Sequence, residues 1–437
     1  MEDLNRMRRE LLRKAGLATA MTASGMLAID NDAGAQPRPK RPPRSPLNVR
    51  DFGASGDGKK DDTRAFERAL AAAEGDGGNL ITIPRGEYRI TAPLDIPASV
   101  TLEGVSRAPT IRSEHRGSCL LALVEGGNAE GAPLITLHEN ATLAGLTVYY
   151  PEQRKTADPI PYPWTVRGDG DNCSLVDVLL VNPYQAVDFG TRAAGRHYVR
   201  GLYAQAIYRG LFVDKCFDVG RLSDVHFWPF WEVWQTPLKQ FTEKEGIAFI
   251  IGRTDWEYVG NCFCIGYSVG FDFVRTKDGS ANAVFTQSGS DVGPLAVRVQ
   301  NVQDHAGIAF SNCQFMTGIE IKETNRGPVK LTSCGFWPIN GADRHALLEG
   351  SGHTTFTACH FSDWARTIPG TPAVEARRGS VTINGCDFAA PGKAQVRIGP
   401  DVDAAIVMGN RLRGAEAIAN EAGARAQIGL NAVASGA

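Results

Sequence analysis

The sequence predicts an all-β protein: a single-stranded parallel β-helix with an N-terminal capping helix. Three observations carry this. Between Asn301 and Phe388 one phrase returns four times, as Cys313-Gln-Phe315, Cys334-Gly-Phe336, Cys359-His-Phe361 and Cys386-Asp-Phe388, at steps of 21, 25 and 27 residues. Each phrase closes a short alternating run, such as Ile308 to Phe310, Val329 to Leu331, Thr354 to Phe356 and Val381 to Ile383. No helix period of useful length interrupts these runs, and glycines, asparagines and prolines separate them. A repeat of this size is one supersecondary unit stacked on its neighbours. The Cys-x-Phe spacing has period two, so both side chains face one way. Inward is expected, since both residue types are among the most buried.

Taken in order, the chain begins with a different composition. Arg6, Arg8, Arg9, Arg13 and Lys14 precede a mildly apolar stretch to Ala28, and Ala33-Gly-Ala35 follows. Residues 1–35 read as a processing signal rather than fold. Arg8-Arg9 before Leu11 and Leu12 is similar to a twin-arginine export signal, although Met7 stands where a serine or threonine is usual. Residues 36–46 form a proline-rich basic linker. A periplasmic or secreted protein is expected. The net charge of -2 gives no reason to expect a nucleic-acid partner, and no apolar run is long enough for a membrane span. Nine cysteines are an odd number. The regular stack favours reduced, inward-facing thiols over disulfides, and neither the spacing nor the surroundings of Cys262 and Cys264 makes a zinc site. No cofactor and no metal is expected.

The solenoid is expected over residues 47–415. Ala65, Phe66, Ala69, Leu70 and Ala73 form one apolar helix face, capped by Asp62 or Thr63 and ended by Gly75 to Gly78. Such a helix covers the open end of a hydrophobic stack. Coil strands follow at Leu94 to Ile96, Val100 to Leu102, Thr110-Ile111, Leu134 to Leu137 and Leu143 to Val148. An insertion at 149–165, rich in proline and aromatics, breaks the period, as prolines cannot sit in a central strand. Further on, Ala186 to Phe189, Gly210 to Val213 and Gly270 to Phe273 superpose. That alignment puts Asp188 in register with Phe212, and Asp272 on the same outward face. A second insertion, 228–246, holds a short helix near Pro237 to Lys244. Residues 416–437 read as a small-residue tail, with no evident cap unless a homo-oligomer supplies one.

The string Val49-Arg-Asp-Phe-Gly-Ala-Ser-Gly-Asp-Gly-Lys-Lys-Asp-Asp-Thr-Arg-Ala-Phe66, followed by Ile83-Pro-Arg-Gly-Glu-Tyr88, resembles the opening of the pectate-lyase-like superfamily of right-handed parallel β-helices. Polygalacturonase-related hydrolases, polysaccharide lyases and phage tail-spike proteins share that opening. The resemblance implies the right-handed fold and assigns Asp57, Asp61 and Asp62 to support of the cap. It does not carry the chemistry. The Asn-x-Asp, paired-aspartate, Gly-His-Gly and Arg-x-Lys set of polygalacturonases is missing; Gly195-Arg-His197 and Asn340 to Asp343 are poor imitations. The aspartate cluster and arginine base of calcium-dependent pectate lyases are not recognisable either.

The residues themselves point to a glycan. Four of the seven tryptophans fall between 228 and 258, and aromatic faces beside carboxylates suit sugar rings. Trp228, Trp231, Trp234, Trp256 and Tyr258, with Tyr149, Tyr150 and Trp164 from the first insertion, form the expected substrate-binding wall. Packing of the loops is the plainer reading of the same residues. Arg253, Lys239 and His226 would contact an acidic sugar. A glycosidase needs two carboxyl groups. Asp188, Asp214, Glu243, Glu245, Asp255, Glu257 and Asp272 are the pool, with Asp255 and Asp272 as the leading pair, then Glu243 or Asp188. The expected function is an exported enzyme that hydrolyses glycosidic bonds of a polysaccharide or oligosaccharide. One alternative is a lyase for a uronic-acid glycan, with Arg253, Lys239, His226, Arg275 or Tyr258 as base. The other is a non-catalytic glycan-binding or spike-like protein.

Overall fold

The computed structural model describes residues 46–106, 115–124, 126–228, 236–339 and 342–434. The stretches expected as export signal and, up to residue 45, as linker, the strand expected at Thr110-Ile111, and Trp231 and Trp234 lie outside the described residues. Among the described residues, thirty-eight strands wind as a parallel β-helix behind an N-terminal helix. Each coil supplies a strand to three sheets. In one coil these are Val269–Phe273, Ala283–Thr286 and Gly289–Asp291. In the next they are Leu295–Val299, Ile308–Ser311 and Gln314–Phe315, paired in parallel with the first set.

The helix α1 spans Thr63–Gly75 and buries the five expected residues against the first coils, with Phe66 edge-on to Tyr88 at 5.5 Å between ring centres. Its start differs from expectation. Asp62 occupies the capping position, but its carboxylate accepts the amides of Ser55 (2.6 Å) and Gly56 (3.0 Å) instead of a helix amide. Asp61 takes the Thr63 amide (3.0 Å) and hydroxyl (2.6 Å). The acidic opening therefore ties the preceding loop to the helix, satisfying donors that would otherwise stay orphaned.

The bend between the second and third sheets explains the Cys-x-Phe phrase. One residue there turns left-handed: Asn261, Gln287, Asn312, Ser333, Ala358, Gly385 and Gly409, with φ between 51° and 69°. The residue after it points inward, giving a column of Cys262, Ser288, Cys313, Cys334, Cys359, Cys386 and Asn410, all buried. Side chains of this column receive amides of the coil before: Cys262 N donates to Ser288 Oγ (3.1 Å), Cys359 N to Cys386 Sγ (3.4 Å) and Cys386 N to Asn410 Oδ1 (2.9 Å). A small side chain with a weak acceptor fits this corner. All nine cysteines are buried free thiols, and burial pushes Cys262 and Cys264 up to about 12.

Two positions later the phenylalanines stack. Ring centres of Phe315, Phe336, Phe361 and Phe388 are 5.4, 4.9 and 4.8 Å apart in succession. Past residue 415 the winding continues: Ile418–Asn420, Ala426–Gly429 and Ala432–Ala434 add a strand to each sheet. The stretch expected as a tail is thus one more coil, built from small residues. Replacing Phe361 by Ala removes the middle of the stack. The expected loss is about 3–5 kcal/mol, read as a lowered melting temperature, with the far-ultraviolet signature of the remaining coils retained.

Candidate functional site

The outer face of the first sheet carries a vertical column. Neighbouring strands pair Arg167 with Asp188, Asp188 with Phe212, Phe212 with Ile250, Ile250 with Asp272, Asp272 with Arg298 and Arg298 with Glu320. The outward register of Asp188 and Asp272 is as expected, yet both are almost fully buried, at 0% and 2% exposure. Arg167 Nε donates to Asp188 Oδ2 (2.6 Å), while the amides of Gly190 and Thr191 take Oδ1 (2.9 and 2.7 Å). Arg298 grips Asp272 through Nε (3.0 Å) and a terminal nitrogen (2.6 Å), and Gln300 Nε2 adds contacts of 2.9 and 3.1 Å. That grip, led by the hydrogen bonds to Asp272, raises the Arg298 guanidinium further. Asp188 and Asp272 stand three strand steps apart, about 14 Å. Acid and base of a glycosidase stand about 5–9.5 Å apart, so these two are not a catalytic pair.

The corner between the first and second sheets is different. Two adjoining cavities of about 610 and 450 Å³ open there and share Arg275 and Asn301. The larger is also lined by Gln300, Glu323, Thr324, Arg326 and Arg378. The smaller adds Arg253, Asp255, Gln303, Asp304 and His305. Asp255 is held by Arg253 at 2.6 and 3.0 Å and by Gln303 at 3.1 Å. These bonds, Arg253 first, hold its carboxyl below the usual range. Segment 300–303 thus touches both leading carboxylates, Asp272 through Gln300 and Asp255 through Gln303. Arg275, Arg326 and Arg378 are exposed and take part in no ion pair or side-chain hydrogen bond with any described residue. Sequence reading missed His305, Arg326 and Arg378. His305 and Arg326 lie in loops of variable length, and Arg378 at a register shift within its strand, where the repeat gives no alignment.

The aromatic residues divide among surfaces. Trp256 and Tyr258 stay beside the corner, 59% and 48% exposed. Trp256 sits at φ 58°, an uncommon conformation for a bulky side chain. Arg253 lies over the Phe217 ring at 5.3 Å. Trp228 and His226 belong instead to the third sheet, where both pack edge-on against Phe263; burial lowers His226. From the first insertion, Tyr150 is buried and hydrogen-bonded to Thr165 (2.9 Å), Tyr149 meets His115 edge-on, and Trp164 stacks on Phe212 at 6.4 Å. Helix α2, Pro237–Glu245, forms where expected. Its Lys239 is buried and paired with Glu243 at 2.6 Å, and burial lowers this lysine against the pull of that glutamate. Asp214 is buried, accepting the Arg253 amide (2.6 Å) and the Thr276 hydroxyl (2.9 Å). Glu245 pairs with Lys244 at the surface.

Glu257 lies inside the solenoid. Its Oε1 bonds His197 Nε2 at 2.8 Å, and both side chains are wholly buried. His197 Nδ1 is 2.9 Å from the Ala194 carbonyl. Burial opposes the imidazolium, but the Glu257 charge and the hydrogen bonds the ring donates to Cys216 and Glu257 outweigh it, raising His197 well above its ordinary value. Donor atoms of His197, Cys216 and Glu257 lie within 4.8 Å of one another, a nitrogen, sulfur and oxygen set that could hold a divalent ion. Elsewhere, burial raises Asp291 at the end of a third-sheet strand; its Oδ1 is buried without a partner.

Residues 47–130 match the family described as rhamnogalacturonase A/epimerase, pectate lyase-like. The chain is 41% identical over 71 residues to alginate lyase 7 of Azotobacter vinelandii, and 39% identical over 72 residues to mannuronan C5-epimerase AlgE3 of the same organism. Each alignment covers 15% of this chain, and 8% and 4% of those proteins respectively. The N-terminal fragment of bacteriophage Phi29 gene product 12 superposes with a TM-score of 0.58 at 12% identity, over 87% of this chain and 72% of that one. That likeness is one of fold.

Two substitutions separate structural from chemical carboxylates. Asp188→Ala strands Arg167 and two amides and is expected to cost about 3–5 kcal/mol in denaturant unfolding. Asp291→Asn should act oppositely. A carboxyl raised by folding loses stability as pH climbs from its ordinary 3.8 through the folded value. The asparagine variant is therefore expected to melt higher at neutral pH, with the difference closing below about pH 3.8.

Proposed function

We propose that this parallel β-helix, whose residues 47–130 match a pectate-lyase-like family model, is a carbohydrate-active enzyme of uronic-acid polysaccharides that works at the first-to-second-sheet corner by removing a proton beside the sugar carboxylate. The observation that carries this is the run of unpaired arginines, Arg275, Arg326 and Arg378, along one groove. Free guanidinium groups suit carboxylates, which they bind in a two-pronged, charge-assisted way. The named activities of alginate lyase 7 and the mannuronan epimerase support an alginate-type substrate. Hydrolysis by Asp255 and Asp272 is less well supported, since Asp255 is held ionised by Arg253 and both Asp272 oxygens are already taken by Arg298 and Gln300.

In this reading an arginine neutralises the uronate carboxylate and so acidifies the adjacent C5 proton. His305, exposed in the smaller cavity beside Arg253 and Asp255, accepts that proton, a task an imidazole performs near neutral pH. The electron pair then forms the C4–C5 double bond as the C4–oxygen bond breaks, and the departing oxygen takes a proton. Return of a proton to the opposite face of C5 would give the epimer instead. The Arg253–Asp255 pair and Gln303 hold the groove wall in place, and Trp256 and Tyr258 offer faces for sugar rings.

Incubation with mannuronan, guluronan and galacturonan in deuterated water tests this. Unsaturated ends absorbing in the ultraviolet are expected for elimination, and deuterium at C5 without them for epimerisation. New reducing ends with neither would defeat the proposal. Arg326→Ala should weaken uronan binding about 10- to 100-fold, the worth of a charged hydrogen bond. His305→Ala should abolish turnover with binding retained.

A further inference from the structure

The three unpaired arginines are not placed at random along the groove. Arg275 follows the strand Val269–Phe273, Arg326 follows Ile319–Ile321, and Arg378 sits within Val374–Asn384, just after its first-sheet stretch pairs with the strand before it. Between the first two lies the coil of Leu295–Val299, and between the last two the coil of Ala346–Leu348. The arginines therefore recur on every second coil. With about 4.8 Å between strands, their step along the axis is about 10 Å, and the three span about 19 Å.

Their freedom is selective. Acidic partners are at hand, and neighbouring cations use them. Arg298 pairs with Asp272, Lys322 with Glu320, and Arg377, adjacent in sequence to Arg378, with both Glu349 and Glu375. Of the intervening corners, the first gives Gln300 and Asn301 to the larger cavity, and the second carries the exposed Ser351. Among the residues lining the larger cavity, the cations thus come only from every second coil.

One pyranose ring with its linkage is about as long as one interstrand step. In a straight 1,4-linked ribbon with alternate rings flipped, every second carboxylate faces the same side. We propose that this groove reads such a two-fold uronan, one arginine to every second sugar, with the polysaccharide lying along the solenoid axis over about five units. Specificity then comes from phase as well as from charge: a chain with three-fold winding brings its carboxylates round out of step and meets at most one arginine squarely. This inference rests on the uronan reading above and specifies which conformation of that polymer fits.

The test moves a charge without removing it. Ser351 is exposed and lies in the coil midway between Arg326 and Arg378. Binding of length-graded mannuronate oligomers is measured for the parent, Arg326→Ala, and Arg326→Ala with Ser351→Arg, each checked for unchanged circular dichroism. Arg326→Ala is expected to weaken the longer oligomers by at least about tenfold, and Ser351→Arg is expected not to restore them. Affinity should also rise in steps of two sugars as the oligomer lengthens. Full restoration by Ser351→Arg would overturn the phase inference and leave uronan binding standing. Undiminished binding of every uronan by Arg326→Ala would overturn both.

Discussion

Parallel stacking makes every side chain a neighbour of the equivalent side chain one coil away, at about 4.8 Å. Whatever one coil places at a position, the next must tolerate. On the outer face of the first sheet this governs the charges. Arg167 meets Asp188, Asp272 meets Arg298, Arg298 meets Glu320, and Glu375 meets Arg397. Where no partner of opposite sign follows, an uncharged residue does, as with Thr136, Phe212, Ile250 and Leu347. Like charges directly opposite are destabilising, and this column contains none. The same rule inside selects stacked phenylalanines and a line of cysteine, serine and asparagine at the bend.

This rule also sets what could be read before the fold was known. The inner column was legible because it is repetitive: Cys-x-Phe follows the left-handed residue at four successive corners, Asn312, Ser333, Ala358 and Gly385. The pairing of Asp188 with Phe212 and the outward side of Asp272 were legible because strand period fixes the face. Their burial was not. An outward side chain disappears from solvent when a long arginine from the next coil lies over it, and that arginine is 21 residues away for Asp188 and 26 for Asp272. The aromatic wall was legible only as composition. Trp228 and His226 leave from the third sheet, while Trp256 and Tyr258 enter the second, so a stretch that is dense in sequence faces two ways in space.

The buried His197–Glu257 pair has Cys216 beside it, and Glu257 stands two residues along the chain from Asp255, which lines the smaller cavity. An ion pair taken wholly out of water contributes little net stability against well-packed apolar residues. Its effect is on shape. A side chain added at Gly220 would place its first carbon 2.2 Å from Glu257 Oε2 and 2.5 Å from the His197 ring, so the chain there must pass as bare backbone. The corner is held by directional bonds at a place where the sheets end and packing alone fixes geometry poorly.

Strands and corners consequently answer to different demands. A charge introduced on a sheet face must be matched one coil above or below, and the ion pairs found there are closed. Of the open cations, Arg275 and Arg326 enter no ladder, and Arg378, opposite Asp401, sits where the register of its ladder shifts, so a charge can stand at the corner with less constraint from its neighbours. Open cations accumulate at the corner for that reason, while the most tightly held carboxylates line the face beside it. Gln300, hydrogen-bonded to Asp272 on the face and lining the groove at the corner, marks where the closed surface becomes the open one. A ligand drawn to free guanidinium groups would be bounded on that side by carboxylates already neutralised by their own arginines, and it would meet no repulsion from them.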